Sequence, residues 1–199
     1  MTIKLFELAP TRSARARWTL LELGVEFESI AGRHLIGSDE LKRVHPLGKL
    51  PALEDDGRPL FESAAICNWL ADSHPEKGLI VKSGTWERAL HDQWCAYTMT
   101  EIEAHLWSSA RNLFVYPEDK RLPAVIEQNN AELQRALAPL DHHLASNKFL
   151  VGGRFSVTDI FCGYAVNWAR RQKQIGSFAN VEAYLARLLA MPNCTYPTE

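Results

Sequence analysis

The rhythm of apolar and polar positions changes near residue 75. Before it, short apolar runs alternate with helical segments; after it, helical spacing dominates. Residues 3–8 form a short apolar run that predicts a buried strand, broken by Pro10. Thr11 or Ser13 can cap a helix running to about residue 23, with Trp18, Leu20, Leu21 and Leu23 on its apolar side and Gly24 as its stop. Residues 25–30 alternate as a second strand, and Ser38 can cap a short helix over 39–44 that Pro46 and Gly48 end. Residues 50–54 read as a third strand, Asp56-Gly57 as a hairpin turn and 59–61 as the return strand. Ser63 then caps a helix over 64–72, with Pro75 beyond it. The predicted order is β-α-β-α-β-β-α.

The second half reads as all-helical. One long pattern runs over 86–113, with Leu90, Trp94, Tyr97, Ile102 and Leu106 marking a face, until Pro117 interrupts it. Helical stretches follow over 122–145, 156–174 and 181–190. Ser156 and Asp159 have capping-box spacing, flanked by Phe155 and Ile160 as a hydrophobic staple, which is a folding signal. The expected organisation is an α+β domain over 1–76, a linker over 77–84 containing Gly78 and Gly84, and an all-helical domain over 85–199.

Composition narrows the function classes. The chain has 199 residues and a net charge of −2, so nothing electrostatic points to nucleic acid as the main partner. Hydrophobic residues make up 46% and charged residues 23%, which is enough for a packed core. No apolar run reaches the roughly 18 residues of a membrane-spanning helix. Glu7 interrupts the first apolar run and an Arg-rich segment follows, so no signal peptide is expected and the cytoplasm is the expected compartment. The four cysteines make no C-x-x-C pair and are too scattered for a disulfide framework. The histidines lack metal-ligand spacing, with His142 and His143 adjacent, so no metal site is expected.

Three segments carry candidate chemistry. In His45-Pro46-Leu47-Gly48-Lys49-Leu50-Pro51-Ala52-Leu53, Pro51 starts a strand that should be central, where proline cannot donate to the ladder. It is either an ordinary turn proline or a cis-proline, and a cis bond would turn the Leu50 backbone outward toward an extended ligand. In Phe61-Glu62-Ser63-Ala64-Ala65-Ile66, Glu62 and Ser63 stand between a strand end and a helix start. That is either a plain helix cap preceded by an acid, or a site for an α-amino acid head group: the helix end and Ser63 for its carboxylate, Glu62 for its ammonium. In Ala9-Pro10-Thr11-Arg12-Ser13-Ala14-Arg15, Thr11 and Ser13 offer hydroxyls at a helix N-terminus, which favours a thiolate. Arg12, Arg15 and Arg17 either steer an anion or form a solvated basic face. No cysteine occupies this turn, which argues against a disulfide reductase, and Cys67 falls in the third helix as a buried apolar thiol.

In this order and spacing the segments resemble the glutathione S-transferase family over essentially the whole chain. The resemblance rests on P-L-G-K-L-P-A-L, E-S-A-A-I, the linker near residue 80 and G-G-R-F-S-V-T-D-I in the helical half. It implies an N-terminal thioredoxin-like domain followed by an all-helical C-terminal domain, as a homodimer. It also implies Pro51 as the cis-proline, Leu50 pairing its backbone with the cysteinyl part of glutathione, Glu62 and Ser63 holding the γ-glutamyl head, and Lys49 near the glycyl carboxylate. Thr11 aligns with the catalytic serine of theta-like members, and Ser13 stays open as the alternative. No tyrosine occupies the turn, and threonine in place of serine is a departure from the pattern.

The activity so implied is conjugation of reduced glutathione, held as co-substrate, to a small apolar electrophile in a detoxifying role, without a metal and without nucleic acid or membrane as partner. The helical half would contribute the electrophile pocket. Tyr97, Trp107 and Tyr116 are candidates to line it, although aromatics at helical spacing more often serve a core. Two further readings use the same site: glutathione-dependent peroxide reduction or isomerisation, and a binding module that no longer turns over.

Overall fold

The computed structural model describes residues 2–197. The chain divides into two compact units, Met1–Arg88 with Met191–Thr198, and Ala89–Ala190.

The first unit contains β1 (Ile3–Glu7), α1 (Ser13–Leu23), β2 (Glu28–Ala31), α2 (Asp39–Lys42), β3 (Ala52–Asp55), β4 (Arg58–Phe61) and α3 (Ser63–Asp72). The sheet order is β2-β1-β3-β4. β1 runs parallel to β2 and antiparallel to β3, which is antiparallel to β4. This is the expected thioredoxin-like arrangement. The parallel pair needs a crossover, and α1 supplies it. Side chains alternate across the sheet. Phe6 and Ala52 pack with Leu35, Leu41 and Val44, while Leu5 and Leu53, their register neighbours, are fully buried. α1 and α3 pack on each other and on the sheet.

Local signals account for most boundaries. Gly24, at φ 66°, closes α1, with its N–H on the Leu21 carbonyl and the Val25 N–H on that of Leu20. That closure occupies Val25, so β2 begins three residues later than the alternation suggested. The Ser38 hydroxyl accepts the Leu41 N–H at 3.1 Å and caps α2. Asp56 and Gly57, both at positive φ, form the β3–β4 turn. Residues 191–197, which sequence grouped with the helical half, belong to the first unit. Thr195 Oγ1 donates to the Ala14 carbonyl at 2.7 Å, and Tyr196 sets its ring edge-on against Trp18.

The second unit is helical, built from α4 (Trp86–Tyr97), α5 (Ala104–Ala110), α6 (Pro123–Leu144), α7 (Val157–Arg171) and α8 (Ala179–Leu189). The long pattern over 86–113 is two α-helices joined by a π-helical stretch, Thr98–Glu103, with a second at Arg111–Val115. The step of five from Tyr97 to Ile102 is its trace in the sequence. No helix among the described residues is long and apolar enough to cross a membrane.

At the start of α7, Asp159 is fully buried. Its carboxylate accepts from the Leu150 N–H at 3.0 Å, the Ser156 N–H at 2.9 Å, the Ser156 hydroxyl at 3.1 Å and the Tyr184 hydroxyl at 3.1 Å. One side chain thus caps α7, anchors residue 150 and ties α7 to α8. Asp159→Ala strands buried N–H groups, each loss costing about 1–3 kcal/mol. The expected urea unfolding free energy is lower by at least about 2 kcal/mol.

Burial pushes the Asp159 carboxyl up from 3.8 to about 6, against these bonds. The unfolded chain releases this proton at the lower pH. Between about pH 4 and 6 the native state therefore binds more protons, and this group makes stability fall as pH rises, levelling above about 6. Urea titrations across that range are expected to show this component in the wild type and lose it in Asp159→Asn.

Candidate functional site

The strand register brings the three candidate segments to one end of the sheet. Ala52 lies opposite Phe6 on one side and Phe61 on the other. Pro51, one residue before it, therefore stands level with Glu7, where the chain leaves β1 for the 8–13 turn, and with Glu62, where it enters α3.

The 8–13 turn closes on itself through hydroxyls. Thr11 Oγ1 donates to the Leu8 carbonyl at 2.5 Å, and the Thr11 and Ser13 hydroxyls are 2.8 Å apart. Ser13 Oγ accepts the Leu8 N–H at 3.2 Å, and Thr11 Oγ1 accepts the Ser13 N–H at 3.2 Å. With the Thr11 proton on Leu8, the Ser13 proton falls to Thr11, so both hydroxyl protons are engaged. Ser13 is buried and Thr11 half-buried, which makes Thr11 the more accessible of the two. The cap position of α1 falls on Arg12, whose side chain makes no capping bond, rather than on Thr11 or Ser13. The turn opens after a cis Ala9–Pro10 bond.

The three arginines of this region are not one solvated face. Arg15 is fully buried, and its Nη1 donates to Ser63 Oγ at 3.2 Å. Arg17 pairs with the buried Glu7 carboxylate, its Nε 2.8 Å from Oε2 and its Nη2 on Oε1, which also accepts from Ser29 Oγ. The hydrogen bond from Arg17 to Glu7 raises the guanidinium's affinity for its proton. Sequence reasoning left Arg15 between steering an anion and forming a solvated face, and did not see Ser63 as its partner. Its signal was position: it sits three and four residues before Trp18 and Thr19, on the buried stripe of α1.

At the other side of the site, Glu62 has φ 71° and ψ 116°, a left-handed conformation that a non-glycine residue adopts at a cost of about 1–3 kcal/mol. Its side chain is exposed and makes no capping bond. Ser63 does not cap α3 as expected but opens it as the first helical residue. Its oxygen accepts from Arg15, which leaves the Ser63 proton free to point elsewhere.

The 45–51 segment is tightly built. The Gly48 N–H bonds the His45 carbonyl at 2.7 Å, and the Gly48 carbonyl takes the Gly37 N–H at 2.9 Å. Gly48 has φ 58°, and a Cβ there would come within 2.8 Å of Gly37 Cα, so no other residue fits. Beyond it Lys49 is exposed, Leu50 half-buried and Pro51 buried, with Leu50–Pro51 cis.

The remaining candidates lie elsewhere in the two units. Cys67 is buried, and burial pushes its thiol up to about 11 despite a bond from Thr19 and the charge of Arg15. The Tyr97 hydroxyl donates to the Ala136 carbonyl at 2.9 Å inside the helical unit. Tyr116 stacks beneath the Arg111 guanidinium, and Trp107 is half-buried. No group of three or more His, Cys, Asp or Glu side chains able to hold a metal occurs among the described residues.

Comparison with known proteins points to one family. The glutathione S-transferase N-terminal domain matches residues 1–72, and the glutathione S-transferase C-terminal domain matches residues 123–187. Glutathione S-transferase F13 of Arabidopsis thaliana is 32% identical over 161 residues, covering 74% of this chain and 70% of that protein. A crystal structure of a glutathione transferase from Methylococcus capsulatus is 30% identical with a TM-score of 0.84, covering 96% of this chain and 95% of its own. A sphingomonad glutathione S-transferase complexed with glutathione is 25% identical with a TM-score of 0.83, covering 96% and 94%. Elongation factor 1-gamma 2 of rice, Oryza sativa, is 32% identical over 77% of this chain, which spans only 37% of that longer protein. With both family domains in order, a relative 32% identical and a solved structure 30% identical over nearly the whole chain, the chain belongs to the glutathione S-transferase family.

Proposed function

We propose that this chain is a glutathione transferase that binds reduced glutathione at the end of the sheet in its first unit, favours the thiolate and adds it to a small apolar electrophile. The helical unit would supply the apolar pocket, and the active form would be a homodimer. The observation that carries the reading is the Arg15–Ser63 bond. It commits the Ser63 oxygen as acceptor and frees the Ser63 proton at the N-terminus of α3, with a buried positive charge behind it. That combination suits the γ-glutamyl carboxylate. The exposed Glu62 carboxylate suits the adjacent ammonium, Lys49 the glycyl carboxylate, and the Leu50 backbone beside cis-Pro51 the cysteinyl amide.

In this reading Thr11, the more accessible hydroxyl, turns its proton from the Leu8 carbonyl to the glutathione sulfur, with Ser13 holding the turn in place. A free thiol titrates near 8.5. One hydroxyl bond at a helix N-terminus lowers that by about one to two units, and each unit raises the thiolate population about tenfold only while the thiol form still dominates. Bringing the two reactants together supplies the rest of the acceleration.

A second reading, a module that binds glutathione without turnover, is favoured by the engagement of both hydroxyl protons within the turn. The likeness to elongation factor 1-gamma also supports it.

Calorimetric titration with reduced glutathione is expected to give one site per chain. Glu62→Ala and Ser63→Ala should each weaken it about tenfold or more, as expected for loss of a charge-assisted hydrogen bond. Unchanged affinity in both would remove the assigned roles. Thiolate absorbance of the bound complex against pH is expected to move upward by about one unit in Thr11→Ala. An unmoved titration, with no turnover on aryl halide or peroxide substrates, would leave the binding module as the answer.

A further inference from the structure

His45 belongs to no role assigned so far, yet it touches both halves of the proposed site. It is 4% exposed. Its backbone is pinned at both ends, N–H to the Leu41 carbonyl at 2.8 Å and carbonyl to the Gly48 N–H at 2.7 Å. Its Nδ1 accepts the Leu47 N–H at 3.1 Å. Its ring lies 4.9 Å from that of Phe61, the residue before Glu62. One imidazole thus holds the loop leading to Lys49 and Leu50 and packs against the turn leading to Glu62 and Ser63.

An imidazole nitrogen that accepts a backbone N–H carries no proton, so in this geometry the ring is neutral with its hydrogen on Nε2. Protonation would put a second hydrogen on Nδ1, facing the Leu47 N–H, and donor would meet donor. We propose that His45 is a positioning residue of the glutathione site, and that its neutral form is the one that holds the 45–50 loop and the 61–63 turn in register for binding. The inference rests on the proposed placement of glutathione on these two segments.

Burial lowers the proton affinity of His45 from its ordinary value near 6.5. Of the charges facing the ring, Glu62 opposes that shift and Lys49 reinforces it, and the residue's own backbone carbonyl also favours the proton. The direction is clear: at neutral pH the ring is uncharged and the loop is held. As pH falls below the ring's titration, the free protein takes up a proton that the bound form excludes, so affinity falls. Glutathione's carboxylates titrate below this range and its amine and thiol above it.

The test is glutathione affinity by calorimetry between about pH 7.5 and 5, for the wild type and for His45→Asn. The asparagine oxygen can take the place of Nδ1 as acceptor and does not titrate. The wild-type dissociation constant is expected to rise toward tenfold per pH unit below the ring's midpoint. In His45→Asn the profile should be nearly flat. A flat wild-type profile, or an equally steep one in the variant, would overturn the role. A measurement on the wild type alone keeps the inference testable if the variant does not fold. The imidazole nitrogen shifts of His45 and the amide shift of Leu47, followed by NMR, should titrate together, with Nδ1 unprotonated at neutral pH. Separate midpoints overturn the proposal. If the wild type binds no glutathione at neutral pH, the functional reading fails, and the two NMR midpoints alone decide whether His45 holds the loop.

Discussion

A guanidinium with no exposure to water governs the arrangement of the first unit. Removing such a charge from solvent is tolerable only where its donors are met, and losing one partner leaves an uncompensated charge inside. Arg15 rises from the first turn of α1 and donates to the first residue of α3. The two helix starts are therefore fixed relative to each other by a group that cannot slide without large cost. This also makes the strained backbone of Glu62 tolerable. Its carbonyl starts α3 by accepting the Ile66 N–H at 2.9 Å, and the next residue is held by Arg15, so the left-handed conformation is determined from both sides.

The sheet supplies the other constraint. The site draws on the end of β1, the start of β3 and the end of β4, and these coincide because Phe6, Ala52 and Phe61 share one register line. A slip of one residue would turn Ala52 out of the core that Phe6, Leu35 and Leu41 build. Packing of an apolar face thus sets the relative heights of Thr11, Pro51 and Glu62 without any of them taking part in it.

Elements with strong local chemistry were legible in the sequence. Gly24, Ser38, Asp56-Gly57 and the Ser156/Asp159 pair each carry a short-range signal that the structure uses. The family motifs picked out the candidate residues, and the register brings their segments to one end of the sheet. Long-range compensation was hidden. Arg15 beside Arg12 and Arg17 reads as a basic face until Ser63, 48 positions away, is known to lie against it. The capping roles given to Ser13 and Ser63 failed for the same reason: their hydroxyls are bound by Leu8, by Thr11 and by Arg15, while Thr11 still accepts the Ser13 N–H although the cap position falls on Arg12. Residues 191–197 show no periodicity, and only the Trp18 ring and the Ala14 carbonyl reveal where they belong.

The site that results is rigid in its heavy atoms and adjustable in a few protons. Gly48 against Gly37, the β3 register and Arg15 against Ser63 leave little room for the backbone to move. The Thr11 and Ser63 hydroxyls can each turn about one bond, and the imidazole of His45 can gain a proton. These are the steps by which such a frame can respond to a ligand, because reorienting a hydroxyl disturbs no packing. The same economy ties chemistry to environment. Thr11 can serve a sulfur only by releasing the Leu8 carbonyl, so thiol activation is a difference between two hydrogen bonds rather than the gain of one. On the proposed function, whether this turn activates a thiol depends on the strength of the bond it must give up, which would make the Leu8 carbonyl as much a part of the chemistry as the hydroxyl that faces it.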